Sequence, residues 1–418
     1  MQPDATTAPE GEGGTPISIA VLGLASFIIS ANTRTGDLLL PVIAGDFGTT
    51  VGRAALVTSA YSLSYGVCQL AYGPLGDRVG KLRVMTVALI VFALATAICA
   101  LAPTLPVLIA LRLFSGGTAA ALIPLSLGYI ADHVPYQLRQ AALARFLLAL
   151  SLGQVLGASL SGVISQQLGW RGVFVTYGLA AALAWVALFV RTRTVRGLEA
   201  RGAARGQGKG QLSLATYRRL LRSPVARVVI GGVFIEGMFL FSGIAYLGSA
   251  LKARTDLELK TIGVILGCLG IGGLAYSFVA APLVRRLGER GMILIGGGAC
   301  VVAFLALVPA NDWWPFLPLT FLLGLAFNML HATMQTKATE LAPDARGTAI
   351  ALFAFALFMG QGIGAALLGA VVDSRGFGPT FATAGVATGL LTIGLAWLFG
   401  RQARAQEAIT GPPLTLQR

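Results

Sequence analysis

The sequence predicts an all-α membrane protein with twelve transmembrane helices in two pseudo-symmetric six-helix bundles. Three observations predict it: the apolar composition, the number of long apolar stretches and an internal repeat. Of the 418 residues, 56% are hydrophobic and only 11% are charged, and soluble domains carry roughly 25% charged residues. Each helical span needs roughly 20 apolar residues, so twelve spans leave about 180 residues for loops and tails. This composition excludes a soluble enzyme of ordinary design.

Twelve apolar stretches follow one another along the chain and define its organisation. Six form a first bundle at 17–190 and six form a second bundle at 228–400, with predicted tails at 1–16 and 401–418. The segment 191–227 between the bundles holds ten basic residues and one acid, and its Gly-rich and Ala-rich centre predicts a flexible linker. The predicted spans are 17–43, 54–76, 84–102, 105–131, 141–168, 172–190, 228–251, 261–283, 292–309, 316–338, 348–372 and 379–400.

The distribution of positive charge predicts the orientation in the membrane. With the N-terminus inside, the cytoplasmic loops and tails and the span ends next to them carry 23 of the 31 Lys and Arg, the outer loops carry six, and Arg34 and Arg112 lie deeper within helices. Positive residues collect on the cytoplasmic side of membrane proteins. We therefore expect a multi-pass membrane protein with both termini in the cytoplasm, and we interpret the net charge of +14 as a topology signal.

The two halves of the chain repeat each other. Segment 153–162 (GQVLGASLSG) recurs as segment 360–369 (GQGIGAALLG) with six identities. A weaker match joins 73–83 to 281–291 around the second and eighth helices. Two repeated halves joined by a linker are typical of transporters that bind substrate between the halves, near the middle of the membrane.

The loop between the second and third predicted helices reads GPLGDRVGK from residue 73 and resembles the signature loop of the major facilitator superfamily. The resemblance covers nearly the whole chain and implies the branch of twelve-helix bacterial drug/proton antiporter-like efflux proteins. It also implies a gate in which Asp77 contacts helix eleven and holds the cytoplasmic side closed, while glycines permit tight turns and close approach. The alternative is a basic loop that only sets topology. The predicted gating residues are Gly73, Asp77, Arg78, Gly80, Lys81 and Arg83.

Charged residues inside predicted spans are candidate functional residues, because charge in a membrane is costly. Arg112 lies in a segment that resembles the family's helix-four motif, in which such an arginine is linked to proton transfer; the alternative is a structural arginine. Arg34 and Asp37 are three residues apart and share a helical face. Asp37 precedes Pro41 by four residues, a pattern similar to the family's helix one, and is predicted to bind a proton or cation unless the pair is only an outer-rim ion pair.

Glu236 is the only charged residue in the seventh predicted helix. An ionised carboxylate is costly at that depth, so the sequence predicts that Glu236 exchanges protons and is the principal proton carrier. The alternative is a carboxylate permanently neutralised by Arg112 or Arg34.

A polar stripe on the tenth predicted helix is expected to face the substrate cavity. Asn328, His331 and Gln335 share one helical face, and histidine ordinarily changes its charge near neutral pH. His331 is therefore predicted to bind substrate or relay protons, with a purely structural histidine as the alternative. The other predicted substrate contacts are Asn32, Gln154 and Gln361.

No GxxxxGK[ST] or HExxH pattern occurs, so the sequence gives no support for an ATPase or a metalloprotease. We predict no enzymatic activity, no metal and no cofactor. The predicted function is proton-coupled export of a small amphipathic or weakly charged molecule by alternating access. The alternatives are a proton-coupled importer of an organic anion, since two intramembrane arginines suit a carboxylate, and a non-transporting sensor. The expected partners are a small-molecule substrate, protons and the lipid bilayer, with no nucleic acid, and we expect a monomer.

Overall fold

The computed structural model describes residues 19–202, 214–342 and 345–410, which contain helices and no strand. The predicted N-terminal tail, the centre of the predicted linker at 203–213 and residues 411–418 lie outside the described residues. A 3-10 turn spans Cys99–Leu101 and a π-helical segment spans Glu236–Phe241. The α-helices are α1 Ile19–Asp46, α2 Val51–Ala54, α3 Leu56–Val79, α4 Lys81–Ile98, α5 Leu105–Ala119, α6 Leu122–His133, α7 Tyr136–Gly202, α8 Leu214–Arg222, α9 Pro224–Ile235, α10 Ser242–Ala245, α11 Leu247–Arg254, α12 Leu259–Leu307, α13 Phe316–Glu340, α14 Arg346–Arg375 and α15 Phe377–Thr410.

The described helices make twelve crossings. Nine helical segments of the described chain are long and apolar enough to span a membrane. Two of them are each divided by a glycine with positive φ, at Gly169 in α7 and Gly288 in α12, and glycine adopts that conformation readily. The less apolar α3, with 24 residues, supplies the twelfth crossing. The predicted number of spans is therefore confirmed.

The crossings alternate between the two ends of the bundle. We call the end with the α3–α4 turn at Gly80 the loop end, and the end with the α14–α15 turn at Gly376 the far end. Both turns use glycine with positive φ, 102° at Gly80 and 84° at Gly376. Because the number of crossings is even, α1 begins and α15 ends at the loop end, where the sixth crossing also ends and the seventh begins.

The repeated glycines give the two halves matching helix contacts. A Cβ atom on Gly153 of α7 would lie 2.4 Å from the carbonyl oxygen of Phe27 in α1, and one on Gly360 of α14 would lie 2.0 Å from that of Phe234 in α9. Only residues without a side chain allow backbones to come so close. The fifth crossing therefore packs on the first as the eleventh packs on the seventh.

The last glycine of each repeat packs against the opposite half. A Cβ atom on Gly162 would lie 2.5 Å from the carbonyl oxygen of Leu259 in the second half, and one on Gly369 would lie 2.9 Å from Cα of Gly52 in the first half. The two contacts are reciprocal, because a glycine of each half packs against the backbone of the other half. A pseudo-two-fold axis between the bundles requires such reciprocal contacts, so they confirm the predicted pseudo-symmetry.

The surface of the bundle is apolar, and charged side chains are buried inside it. Phe278 is 86% exposed, Leu183 71% and Leu390 67%, whereas Arg112 and Glu236 are both 0% exposed. Such an arrangement is stable when the surface contacts lipid and the interior is protein or a water-filled cavity. The chain is therefore built as a multi-pass membrane protein.

Candidate transport site

Glu236 and His331 face each other inside the second half. Glu236 is wholly buried and begins the π-helical segment Glu236–Phe241 in the seventh crossing. His331 extends from α13, and its Nδ1 lies 3.2 Å from Oε2 and 3.3 Å from Oε1 of Glu236. The partner of this carboxylate is thus an imidazole. Among the described contacts, none joins Glu236 to Arg34 or Arg112.

Three phenylalanine rings surround the His331 imidazole. The ring centroids of Phe241, Phe327 and Phe353 lie 6.0, 5.2 and 5.4 Å from that of His331. Phe241 and Phe327 pack edge to face at 4.7 Å, a favoured geometry for aromatic pairs. The His331 side chain keeps 16% of its surface exposed, so the rings shield the Glu236–His331 pair without sealing it completely.

A second charged pair lies in α1. Arg34 Nη1 is 3.5 Å from Asp37 Oδ2, and the two side chains are 12% and 9% exposed. The guanidinium carbon of Arg34 also lies 5.3 Å from the ring centroid of Phe241. Phe241 therefore contacts both Arg34 and His331, and it joins the Arg34–Asp37 pair of the first half to the proton-binding candidates of the second.

Arg112 is held within the first half. Its Nη1 donates a hydrogen bond of 2.8 Å to Oδ1 of Asn32 in α1. The guanidinium carbon lies 4.1 Å from the ring centroid of Tyr61 and 5.5 Å from that of Phe174, within the range of cation–π attraction. Asn32 is itself fully buried, so the structure places it as the hydrogen-bond partner of Arg112.

A cavity that is partly open to solvent lies between the two halves. Arg34 and Gln154 line it from the first half, and Phe327 and Asn328 line it from α13 in the second. Asn328 Nδ2 donates a hydrogen bond of 2.7 Å to the carbonyl oxygen of Gly324. Its position agrees with that expected for a substrate between two repeats.

Four predicted substrate contacts lie outside this lining: Asn32 and His331, described above, and Gln335 and Gln361. Gln335 is exposed, one helical turn beyond His331. Gln361 is buried in α14 beside the π-helical segment, and its carbonyl oxygen accepts a hydrogen bond of 3.1 Å from Ser242 Oγ. The predicted polar stripe of α13 therefore divides between the cavity (Asn328), the proton-binding candidate (His331) and the surface (Gln335).

The predicted gating residues lie at the loop end, and their described ion pairs stay within the first half. Lys81 Nζ is 3.6 Å from Asp77 Oδ1 and also pairs with Asp132 at the end of α6. Arg78 and Arg83 are exposed. Gly80 makes the turn after α3, while Gly73 continues the helix with open space around it. In this conformation no described contact joins Asp77 to α14.

At the far end a carboxylate of the second half caps a helix of the first half. Asp373 Oδ2 accepts a hydrogen bond of 2.6 Å from Thr50 Oγ1, and Asp373 Oδ1 accepts one of 2.8 Å from the backbone N–H of Gly52. We call Thr50, Gly52, Gly369 and Asp373 the far-end clamp. Sequence reasoning did not identify it. The available signal was Thr50, since threonine before a short helix is a preferred N-cap.

The fold and the site together define a polytopic transporter of two pseudo-symmetric bundles with charged groups and a cavity between them. The family model of the Major Facilitator Superfamily matches residues 22–312 and again residues 255–415. The chain belongs to this superfamily, whose members are transporters and not enzymes.

Two bacterial relatives and one solved structure illustrate the similarity. The chain is 24% identical over 361 residues to "Uncharacterized MFS-type transporter YceJ" of Bacillus subtilis (strain 168), covering 83% of this chain and 87% of that protein. It is 24% identical over 362 residues to "Probable sugar efflux transporter" of Helicobacter pylori (strain HPAG1), with coverages of 85% and 88%. The structure of a bacterial homologue of the human lysosomal transporter Spinster, inward-facing and unoccupied, matches with a TM-score of 0.73 at 16% identity, covering 93% and 96%; this match supports the fold alone.

Proposed function

We propose that this protein exports a small amphipathic or weakly charged molecule in exchange for protons, by alternating access. The single observation that carries the proposal is the Glu236–His331 pair: a wholly buried carboxylate whose described partner is an imidazole. A relative named a probable sugar efflux transporter supports the export direction.

The pair suits proton exchange because both partners are titratable. A carboxylate bound to a permanently charged arginine stays ionised, whereas a carboxylate and an imidazole in contact titrate as a coupled pair. Histidine ordinarily changes its charge near neutral pH. The pair can therefore gain and release one proton as its surroundings change between the two conformations of the cycle.

The π-helical segment gives the proton a route to the cavity. Glu236 begins this segment and Phe241 ends it, and Phe241 packs against both His331 and Phe327. Phe327 lines the cavity. π-helical turns are frequent at functional sites, and a local change in this one would move Glu236 and the cavity wall together.

The proposed orientation has the loop end in the cytoplasm of a bacterial inner membrane, because 23 of the 31 Lys and Arg are predicted to lie on that side. Both tails are then cytoplasmic.

The test uses purified protein in proteoliposomes and the variant Glu236→Gln, which keeps shape and hydrogen bonding but cannot titrate. A thermal-stabilisation screen of sugars and amphipathic compounds supplies the transported compound, because a ligand that binds the folded state raises Tm. We expect Glu236→Gln to abolish accumulation driven by a pH gradient and to leave counterflow without a gradient intact. Unimpaired accumulation would assign the proton to another group, with Asp37 the next candidate.

The matched control is Glu258→Gln. Glu258 is also a carboxylate paired with a basic side chain, Lys260, but both are largely exposed at the far end. This variant should transport as the unmodified protein does. The sign of the pH gradient that drives accumulation inside the vesicles distinguishes export from import. Binding of the compound without any flux would favour a non-transporting sensor.

A further inference from the structure

The cavity between the halves has an unbalanced charge. Arg34 is the one charged side chain among the described residues that line it, and none of them is acidic. An organic cation entering this space would find like charge and no carboxylate on the wall, whereas an anion would find an arginine.

The Arg34 guanidinium is poorly satisfied by its neighbours. Its contact with Asp37 is 3.5 Å long, and Arg34 Nη1 and Asp37 Oδ1 are both buried without a hydrogen-bond partner in the structure. A guanidinium carries five N–H donors, and leaving buried donors unpaired is costly. Arg34 also lines the cavity and keeps 12% of its side chain exposed, so a ligand in the cavity can reach this arginine.

The other residues of the cavity wall indicate the chemistry of the part of the ligand beyond its charged group. Gln154, Asn328 and two serines provide hydrogen-bonding groups, while Phe327 and aliphatic side chains provide an apolar surface. Arginine binds carboxylates through two parallel hydrogen bonds. The pattern matches a molecule with an anionic head and an apolar or aromatic body.

We propose that the cavity binds amphipathic organic anions, with the anionic head on Arg34 and the apolar body against Phe327. This inference rests on the proposed transport function and names its substrate class. In the proposed orientation, a membrane potential that is negative inside favours the exit of an anion, which agrees with export.

The test compares three probes that share one ring system and differ in the charge of the side chain: indole-3-acetate, indole-3-acetamide and tryptamine. Binding to the full-length purified protein is measured by isothermal titration without any gradient. We expect indole-3-acetate to bind at least tenfold more tightly than the amide, and tryptamine to bind more weakly than both. Equal binding of the three probes, preference for tryptamine, or no binding of indole-3-acetate would each overturn the proposal.

Two variants assign the preference to the cavity. Arg34→Gln should weaken indole-3-acetate at least tenfold and leave the amide nearly unchanged. Gln154→Glu, at an exposed position of the wall, should weaken the acetate and strengthen tryptamine, and it provides a second measurement if Arg34→Gln does not fold. The control is Arg171→Gln, since Arg171 pairs with Asp46 at the far end. Preference for the acetate that survives both cavity variants would place the anion site elsewhere.

The outcome is separable from that of the proposed function. Charge-selective binding without proton-driven accumulation would remove the proton coupling and keep the anion site. Accumulation that depends on Glu236, with no preference for the acetate, would keep the proton coupling and remove the anion site.

Discussion

The two ends of the bundle differ in how the halves meet. At the far end, Asp373 of the second half bonds to Thr50 and Gly52 of the first, and Ser159 Oγ donates a hydrogen bond of 2.9 Å to the carbonyl oxygen of Gly263. At the loop end, the described ion pairs of Lys81 stay within the first half.

At the loop end, the described ion pairs of the second half also stay within their own half. Lys337 pairs with Glu289 and Glu340, both in its own half. The contacts between the halves continue from the far end to about the middle of the bundle, where the rings of Tyr65 and Phe358 lie 4.2 Å apart. From Tyr65 to the end of α3 at Val79, the helix extends roughly 20 Å further, at 1.5 Å per residue.

This difference identifies the conformation. Among the described residues, the halves are bonded at the far end and share no ion pair at the loop end, which corresponds to one of the two end states of alternating access. Here the far end is closed. In the proposed orientation the cavity then opens toward the cytoplasm, which is the state in which an exporter takes up substrate.

The largest expected effect comes from placing a methyl group in the far-end clamp, with Gly52→Ala. The new Cβ would lie 2.2 Å from the carbonyl oxygen of Gly369, and a backbone atom cannot move aside as a side chain does. Overpacking of this kind costs about 1–3 kcal/mol, so we expect the ratio of far-end-open to far-end-closed molecules to rise by roughly fivefold to 150-fold. Spin labels at Arg53 and Lys252, in a variant without native cysteines, measure the distance across the far end.

The control for this substitution is Gly45→Ala, because no atom lies within 4 Å of the added Cβ. It should leave the distance distribution unchanged. If Gly52→Ala also left it unchanged, the closed far end would not depend on the Gly52–Gly369 approach.

A smaller effect is expected from Asp373→Asn. Asparagine keeps a hydrogen-bond acceptor but removes the negative charge, and bonds to charged groups are the stronger ones. Because Asp373 is exposed, solvent screens part of the interaction. We expect a loss of about 1 kcal/mol, roughly a fivefold shift toward far-end-open molecules, in the same spin-label measurement.

Asp46→Asn is the matched control for Asp373→Asn. Asp46 is also a far-end aspartate with close hydrogen-bond partners, but these are Arg171 and Trp170, both in its own half. Its loss should not change the distance between the halves. An equal response to the two substitutions would mean that the charge of the far end matters and the clamp does not.

Local sequence patterns predicted the architecture because each crossing is a long apolar helix that satisfies its own backbone hydrogen bonds. The repeat around Gly153 and Gly360 even predicted equivalent contacts, since close helix packing requires small residues. The pairing of Arg34 with Asp37 followed from a spacing of three residues on one helix.

The contacts between distant segments could not be predicted in the same way. Glu236 and His331 are 95 residues apart, and Thr50 and Asp373 are 323 apart. No helical period relates such positions; their meeting depends on how the two halves pack. The π-helical segment also gave no periodic signal, because it covers only six residues.

The smallest expected effect concerns the loop end, with Asp77→Asn. In the far-end-closed state Asp77 makes only a partly exposed pair with Lys81, 3.6 Å away, and such pairs contribute about 0.3–0.5 kcal/mol. If Asp77 keeps this pair and also meets the N-terminus of α14 when the loop end closes, it gains about 0.3–1 kcal/mol there from the helix dipole. The substitution should therefore shift the population toward the far-end-closed state by no more than about fivefold, opposite in sign to the clamp variants. Spin labels at Val79 and Gly347, which are exposed on α3 and α14, measure the loop-end distance. A shift toward loop-end-closed molecules would show that Asp77 does not stabilise that closure.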